Sequence, residues 1–159
     1  MGSGKTYRAK KLSATLNIPA FDLDAEIEKA AGKTIAEIFT EAGERHFRVM
    51  ENAQLKTFSD KQDFILSTGG GAPCFHDNID WMNEQGITIW IDEPPATIAQ
   101  RLKKEKSHRP LIANVPDDEL EAFFTKMREK RKPFYAKAKY HLTDCSGEAD
   151  FLKLLSLYE

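Results

Sequence analysis

Short apolar runs alternate with stretches of helical periodicity along most of the chain. In those stretches, apolar side chains recur every third or fourth position. This alternation is typical of an α/β domain in which helices connect the strands of a mainly parallel sheet. The predicted strands are 19–22, 64–66, 87–91 and 140–142, and the predicted helices are 7–16, 24–31, 34–57, 76–84, 95–104, 117–131 and one beginning at 148.

The helix predicted at 34–57 carries its own start and break signals. Thr34 and Glu37 have the spacing of a capping box, in which each side chain bonds the other residue's backbone N–H. Gly43 lies within the helix and predicts a break there, because glycine weakens a helix interior.

The chain has no internal repeat, low-complexity tract or Ser/Gly linker that would mark a domain boundary. Its 159 residues and 18.0 kDa suit one domain with one active site. We therefore predict a single domain over 1–159. The basic and then proline-punctuated segment 103–116 is predicted to be a mobile lid loop.

Composition narrows the class of protein. With 23 basic and 25 acidic side chains and a net charge of -2, the chain is not expected to bind nucleic acid or an anionic membrane. Cys74 and Cys145 do not suggest a disulfide framework or a zinc site, which favours a reducing, cytoplasmic compartment. No apolar stretch approaches the roughly 20 residues needed to span a bilayer. A cytoplasmic enzyme or binding module remains.

The chain begins with a candidate phosphate-binding loop. Gly2, Ser3, Gly4, Lys5 and Thr6 match the second half of the pattern G-x-x-x-x-G-K-S/T. In such a loop, backbone N–H groups surround phosphate oxygens, the lysine reaches the β- and γ-phosphates, and the hydroxyl binds Mg²⁺. The first glycine of the pattern is absent, so a flexible, tag-like N-terminus is the alternative.

Two further motifs follow predicted strands. Asp22 and Asp24 stand where the first strand ends, so both carboxylates can face one crevice and divide the tasks of binding Mg²⁺ and activating a hydroxyl. The alternative is that one of them caps the next helix. Gly69, Gly70 and Gly71 follow the second strand, and three glycines there indicate an unusual turn or a close ligand.

These motifs, taken in order, resemble the shikimate kinase family, and the resemblance covers essentially the whole chain. It implies Mg²⁺-dependent transfer of the ATP γ-phosphoryl group to the 3-hydroxyl of shikimate, by a monomer with a P-loop NTPase fold. That fold is a three-layer α/β/α arrangement around a parallel sheet of order 2-3-1-4-5. The segments that carry the resemblance are FDLD, IEKAAGKTIAEIFTEAGERHFRVME, STGGGA, HRP and EKRKPFY.

The resemblance also assigns roles to individual residues. It implies that ATP is bound by Gly2, Ser3, Gly4, Lys5, Thr6 and the lid residue Arg109, and that Mg²⁺ is bound by Thr6 and Asp22. It implies that shikimate is bound by Asp24, Arg48, Gly69, Gly70, Gly71 and Arg131. The implied catalytic residues are Lys5, Asp24 and Arg109.

Some of these residues have plainer interpretations when taken alone. Arg48 lies in a charge-rich helix, where most arginines are solvated. Arg131 belongs to a basic run that would suit an exposed face or the C-terminal end of a helix. Two alternative functions also stay open: another small-metabolite P-loop kinase, such as a gluconate kinase, and a catalytically impaired nucleotide-binding protein.

The second alternative arises from the start of the sequence. Only four strands are predicted, and the family's central strand 1 has no counterpart in them. We expect the natural protein to begin about ten residues earlier, with an apolar strand and turn leading into the phosphate loop.

Overall fold

A computed structural model describes residues 2–104, 111–143 and 156 of the chain. Within them, six α-helices alternate with four short strands. Two 3₁₀ helices, Thr57–Asp60 and Ala72–Cys74, interrupt the loops. The elements are α1 (Lys5–Leu16), β1 (Ala20–Asp22), α2 (Leu23–Ala31), α3 (Ile35–Lys56), β2 (Ile65–Ser67), α4 (Asn78–Gln85), β3 (Ile89–Ile91), α5 (Pro95–Leu102), α6 (Leu120–Tyr135) and β4 (Tyr140–Leu142).

All strand pairing in the described part of the chain is parallel, as predicted. β1 pairs with β2, with Asp22 opposite Ser67 at their carboxyl ends. β3 pairs with β4, with Ile89 opposite Tyr140. The two pairs are not joined, because β2 and β3 do not bond to each other. The described strands thus form two halves of a sheet.

A cleft of about 720 Å³ separates these halves. The side chains of β3 are only partly buried, although strands of a parallel sheet are normally covered on both faces. The cleft lies between β2 and β3. In the family's strand order 2-3-1-4-5, the central strand 1 occupies this position. Its apolar lining includes Leu12, Ile65, Leu66, Ile79, Ile89 and Ile91.

Local signals explain how α3 begins and where it bends. The Thr34 hydroxyl accepts a hydrogen bond from the Glu37 N–H, and the Glu37 carboxylate accepts one from the Thr34 N–H, which confirms the predicted capping box. Gly43 has φ 77° and ψ 173°, a conformation that glycine tolerates and that breaks the helical path. The predicted break is confirmed, and it reorients the second half of α3.

The helix predicted at 117–131 is shifted towards the C-terminus. Residues 117–119 form a turn, and α6 begins at Leu120, whose buried side chain starts the apolar face. α6 continues to Tyr135 although Pro133 cannot donate a backbone hydrogen bond. The prediction ended too early because the packing of Tyr135 against Trp90 supports the last turn, and sequence periodicity does not reveal that contact.

Two of the three apolar clusters in the described part of the chain join neighbouring helices, and the third packs Leu12 of α1 against Leu142 of β4. The larger of the first two packs α2 and α3 against β1 and contains the fully buried Leu23 and Leu55. The smaller of them joins α5 to α6 through Leu102, Ile112 and Leu120. Ile112 is fully buried, so this end of the predicted lid 103–116 is anchored to α5 and α6. The lid residues 105–110 and the helix predicted from 148 lie outside the described residues.

The remaining boundaries differ from prediction by a few residues. β3 begins at Ile89 rather than at 87 because its partner β4 offers only three residues for pairing. Within the part of the chain that the structure describes, no helix combines the length and apolar character needed to cross a membrane.

An added apolar strand should fill the cleft and stabilise the fold. We expect that an N-terminal extension of about five Val/Ile residues and a short turn, placed before Gly2, raises the melting temperature by about 5 °C or more, because it pairs with β2 and β3 and buries apolar surface. Thermal unfolding followed by circular dichroism measures this. The control is an extension of equal length with alternating prolines, which cannot form the ladder. Equal melting temperatures for the two extensions would contradict the expectation.

Candidate functional site

The candidate site lies at the carboxyl ends of β1 and β2, the usual position for ligands in open α/β sheets. Strand pairing places Asp22 next to Ser67 there, and Gly69 follows directly. The N-terminus of α1 reaches the same edge, because Ser3 and Lys5 line the cleft together with Gly69. The structure thus brings together the three motifs that the sequence analysis selected.

The phosphate loop has the backbone conformation that its glycines predict. Gly2 has φ 70° and Gly4 has φ 77°, both in the left-handed region that favours glycine. Gly4 is the N-cap of α1, and no side chain caps that helix end, so the first N–H groups of the helix are available to an anion. The loop therefore has the geometry of a phosphate site.

The loop is also an integral part of the fold. A Cβ added to Gly2 would lie only 2.9 Å from Cδ1 of Leu102, and Nη1 of Arg101 donates to the Gly2 carbonyl at 3.2 Å. These contacts argue against the flexible, tag-like alternative.

Asp22 is the member of the acidic pair that caps the next helix, and it also contacts the phosphate loop. Its Oδ1 accepts a hydrogen bond from the Asp24 N–H at 3.1 Å and so caps α2, which begins at Leu23. Its Oδ2 accepts a hydrogen bond from the Thr6 hydroxyl at 3.1 Å. One carboxylate thus joins the helix start to the phosphate loop.

The donor set of Thr6 and Asp22 suits Mg²⁺. Both provide hard oxygen ligands, and their hydrogen bond brings these oxygens to one point. Among the described residues, no group of three or more His, Cys, Asp or Glu side chains could hold a metal on its own. Mg²⁺ usually binds through one or two protein oxygens, with phosphates and waters completing its shell, so the residues fit this ion.

Asp24 is partly buried near the start of α2, two residues after Asp22. Burial raises the pKa of Asp24, and the negative charge of Asp22 raises it further, whereas the positive charges of Lys5 and Arg48 oppose the rise. A carboxyl with a raised pKa is a better proton acceptor than an ordinary aspartate. A chain of hydrogen bonds links Asp24 to the phosphate loop, because its N–H donates to Asp22, which accepts a hydrogen bond from Thr6.

Arg48 is buried, although an isolated helical arginine was expected to be solvated. It is 8% exposed, and its Nη1 donates to Oε2 of the fully buried Glu51 at 2.8 Å. Its Nε and Nη2 donate to Oε1 of Glu44 at 3.2 and 2.9 Å, and its guanidinium lies 4.5 Å from the centre of the Phe75 ring. These partners hold the guanidinium in one place, as recognition of a planar anion requires.

The glycine triplet allows this burial. A Cβ on Gly71 would lie 2.5 Å from Nη2 of Arg48, so a side chain there would displace the guanidinium. A Cβ on Gly69 would lie 3.1 Å from Oδ1 of Asp24. The carbonyl of Gly70 accepts a hydrogen bond from the Tyr135 hydroxyl. The close ligand that the triplet indicated stays a prediction, whereas Gly69 and Gly71 leave room for the side chains of Asp24 and Arg48.

Arg131 reaches the same region from α6. It is partly buried, lines the cleft near Gly69 and Gly70, and its charge lowers the pKa of Tyr135 against the rise that burial causes. Its charge also acts on Glu51. Burial raises the pKa of Glu51, and the charges of Arg48 and Arg131 only partly offset that rise. Two arginines therefore face the crevice from different helices. The predicted lid residue Arg109 lies outside the described residues.

Three neighbours of these residues, Glu51, Tyr135 and Phe75, were not predicted from the sequence to belong to the site. Glu51 lies three residues after Arg48 and Tyr135 four residues after Arg131, so each shares a helix face with its arginine. This spacing was the available signal. Phe75 had no such signal, because only the turn after the glycine triplet brings it to Arg48.

Glu51 should contribute far more to stability than Glu44. We expect Glu51→Ala to lower the free energy of unfolding by about 2–4 kcal/mol, because it leaves Arg48 buried without its interior partner. Glu44→Ala is the matched control: Glu44 binds the same arginine but its side chain is 57% exposed, so its loss should cost about 1 kcal/mol or less. Urea unfolding measures both. If both substitutions lowered the free energy of unfolding equally, burial would not determine how much each ion pair contributes to stability.

Comparison with known proteins agrees with this geometry. Residues 1–157 match the sequence model of the shikimate kinase family. A shikimate kinase of Bacteroides fragilis is 44% identical over 140 residues, which cover 88% of this chain and 78% of that protein. The 1.7 Å crystal structure of the Bacteroides thetaiotaomicron shikimate kinase has a TM-score of 0.91 at 38% identity, covering 99% of this chain and 93% of the other.

A second solved structure, the Acinetobacter baumannii shikimate kinase in complex with shikimate, has a TM-score of 0.88 at 31% identity and covers 99% of this chain and 88% of that one. These matches confirm the P-loop NTPase fold that the resemblance implied. With a phosphate loop, an acidic pair and a buried arginine at one sheet edge, the chain belongs to the shikimate kinase family.

Proposed function

We propose that this chain transfers the γ-phosphoryl group of ATP to the 3-hydroxyl of shikimate, giving shikimate 3-phosphate and ADP. The observation that carries the proposal is the position of Asp24. Its N–H donates to Asp22, which accepts a hydrogen bond from Thr6 of the phosphate loop. Its Oδ1 and the Oε1 of Glu51, the buried partner of Arg48, lie 3.1 and 3.3 Å from where a Cβ on Gly69 would stand. A carboxylate at this position stands between a nucleotide site and a site for an anionic second substrate. That is the arrangement a kinase for a small acid requires.

The second substrate is held at both of its polar ends. Arg48 and Arg131 are assigned to its carboxylate, because guanidinium groups bind carboxylates with paired hydrogen bonds. Asp24 is assigned to its hydroxyls, and the backbone of Gly69, Gly70 and Gly71 approaches it closely. Glu51 keeps Arg48 in position from the buried side.

In the transfer step, the 3-hydroxyl oxygen attacks the γ-phosphorus, and the bond from that phosphorus to the β–γ bridging oxygen breaks. Asp24 orients the hydroxyl and accepts its proton, a role that its raised pKa supports. Lys5 stabilises negative charge on the transferred group. By the resemblance, Arg109 adds a second positive charge from the lid.

Mg²⁺ belongs to the proposal as the partner of the ATP phosphates. Thr6 and Asp22 would hold it through the oxygens that now share a hydrogen bond. When bound, the ion neutralises charge on the β- and γ-phosphates. Asp22 would still cap α2 through its other oxygen.

The same proposal includes the partners and the location of the protein. Shikimate and ATP are its small-molecule partners, the protein acts as a monomer without nucleic acid or membrane, and it works in the cytoplasm. The near-balanced charge supports this view. Sedimentation velocity at micromolar concentration measures the oligomeric state.

Substrate choice and the role of Asp24 can be tested together. In a coupled ADP-release assay we expect turnover with shikimate but not with gluconate or nucleoside monophosphates. Asp24→Asn should lower kcat by about 10²–10⁴-fold, because it removes the proton acceptor, and should leave ATP binding intact. Activity with gluconate alone would favour the other P-loop kinase, and ATP binding without turnover of any substrate would favour the impaired nucleotide-binding protein. Normal turnover by Asp24→Asn would contradict its role.

Arg131→Ala should act on the second substrate rather than on ATP. We expect the KM for shikimate to rise about 10- to 100-fold, because a charge-assisted pair with the carboxylate is lost. The KM for ATP should change less than about threefold. Lys130→Ala, which removes an exposed charge from the same helix, is the matched control. If both substitutions raised the KM for shikimate by a similar factor, Arg131 would attract anions in general rather than bind the shikimate carboxylate.

A further inference from the structure

Tyr135 connects the two arginines of the site through the backbone of the glycine triplet. It lies four residues after Arg131 on α6, and its hydroxyl donates a hydrogen bond of 2.5 Å to the carbonyl of Gly70. This bond joins α6 to a loop 65 residues earlier in the chain. Nothing in the phosphoryl-transfer chemistry described above uses Tyr135.

The hydrogen bond fixes more than one atom. The Gly70 carbonyl and the Gly71 N–H belong to one planar peptide unit, so holding the oxygen also sets the direction of the N–H. Gly71 is the residue whose missing Cβ leaves room for the Arg48 guanidinium, at 2.5 to 2.7 Å from where that atom would stand. The peptide that Tyr135 holds therefore forms the surface against which Arg48 rests.

The surroundings keep the Tyr135 hydroxyl in the form of a donor. The ring lies against Trp90, with 5.6 Å between ring centres, so its orientation is restrained. Burial raises the pKa of Tyr135, and the charge of Arg131 and a hydrogen bond with its side chain oppose that rise. A protonated phenol in a restrained ring is a rigid support for a flexible glycine loop.

We propose that Tyr135 is a positioning residue that sets the distance between Arg131, on its own helix, and Arg48, through the Gly70–Gly71 peptide. The two guanidinium groups then form one preorganised receptor for the substrate carboxylate. This inference deepens the proposed function and rests on it. Tyr135 does not touch the reacting atoms, and its effect is on the binding of the second substrate.

Removing the hydroxyl alone tests this role. Tyr135→Phe keeps the ring against Trp90 but leaves the Gly70 carbonyl without its partner. We expect the KM for shikimate to rise about 5- to 30-fold, with kcat and the KM for ATP each within about threefold of the wild type. Tyr140→Phe is the matched control, because Tyr140 is an exposed tyrosine in β4, and it should change none of the three constants.

A second measurement does not depend on activity. Ala72 donates its N–H to the Gly69 carbonyl, and Cys74 donates to the Gly71 carbonyl, so these two amides report the order of the glycine loop. In the ligand-free protein, we expect Tyr135→Phe to increase their hydrogen exchange about tenfold or more, and Tyr140→Phe to leave it unchanged.

The outcomes separate this inference from the proposed function. Unchanged exchange of both amides in Tyr135→Phe would overturn the inference, whatever the enzyme does. An unchanged KM for shikimate, or equal rises in the KM for shikimate and for ATP, would also overturn it. A wild-type protein that does not phosphorylate shikimate would refute the proposed function, and the exchange data would still decide whether Tyr135 orders the loop.

Discussion

The burial of the Arg48 guanidinium constrains the site more than any other feature of the structure. A charge held at 8% exposure needs partners, and Glu51 provides one from the interior while Glu44 provides another from the surface. The same burial requires Gly71 to have no side chain. The kink at Gly43, one residue before Glu44, sets the direction in which this part of α3 enters the site.

The acidic pair shows how neighbouring carboxylates acquire different tasks. Asp22 accepts hydrogen bonds from the Thr6 hydroxyl and from the Asp24 N–H, which places it beside the phosphate loop. Burial together with the charge of Asp22 raises the pKa of Asp24. Each residue thus helps to define the role of the other. In the proposed function, Asp22 would hold Mg²⁺ and Asp24 would accept the proton of the hydroxyl, so each carboxylate has one task.

The divided sheet relates the site to the stability of the domain. β1 and β2 carry the acidic pair and the glycine triplet, whereas β3 and β4 lie across the cleft. Helix α1, the 3₁₀ helix Ala72–Cys74 and helix α6 line the cleft and bring Lys5, Pro73 and Arg131 towards one space. In the described residues, the inner edges of β2 and β3 lack the ladder bonds that a parallel sheet normally completes. Helix α1 contacts both strand pairs, because it packs on β1 and β2 and its Leu12 lies against Leu142 of β4.

Local patterns were sufficient to predict most of the elements. The capping box of Thr34 and Glu37, the break at Gly43 and the strand 140–142 depend on neighbouring residues, and all three are confirmed. The phosphate loop was also identified, from its glycines, Lys5 and Thr6 at the start of a predicted helix, and the acidic pair and the glycine triplet were identified because each follows a strand. The bounds of α6 were wrong because its last turn depends on contacts of Tyr135 with residues far away in the chain.

The sequence by itself therefore determined the class of fold, the order of its elements and the chemical types at the site. Only the tertiary structure decided that Arg48 is buried, that Glu51 supports it and that Tyr135 joins α6 to the glycine loop. Burial and long-range hydrogen bonds depend on which surfaces meet after folding. Helical spacing shows which residues share a face, but it does not show what that face will contact.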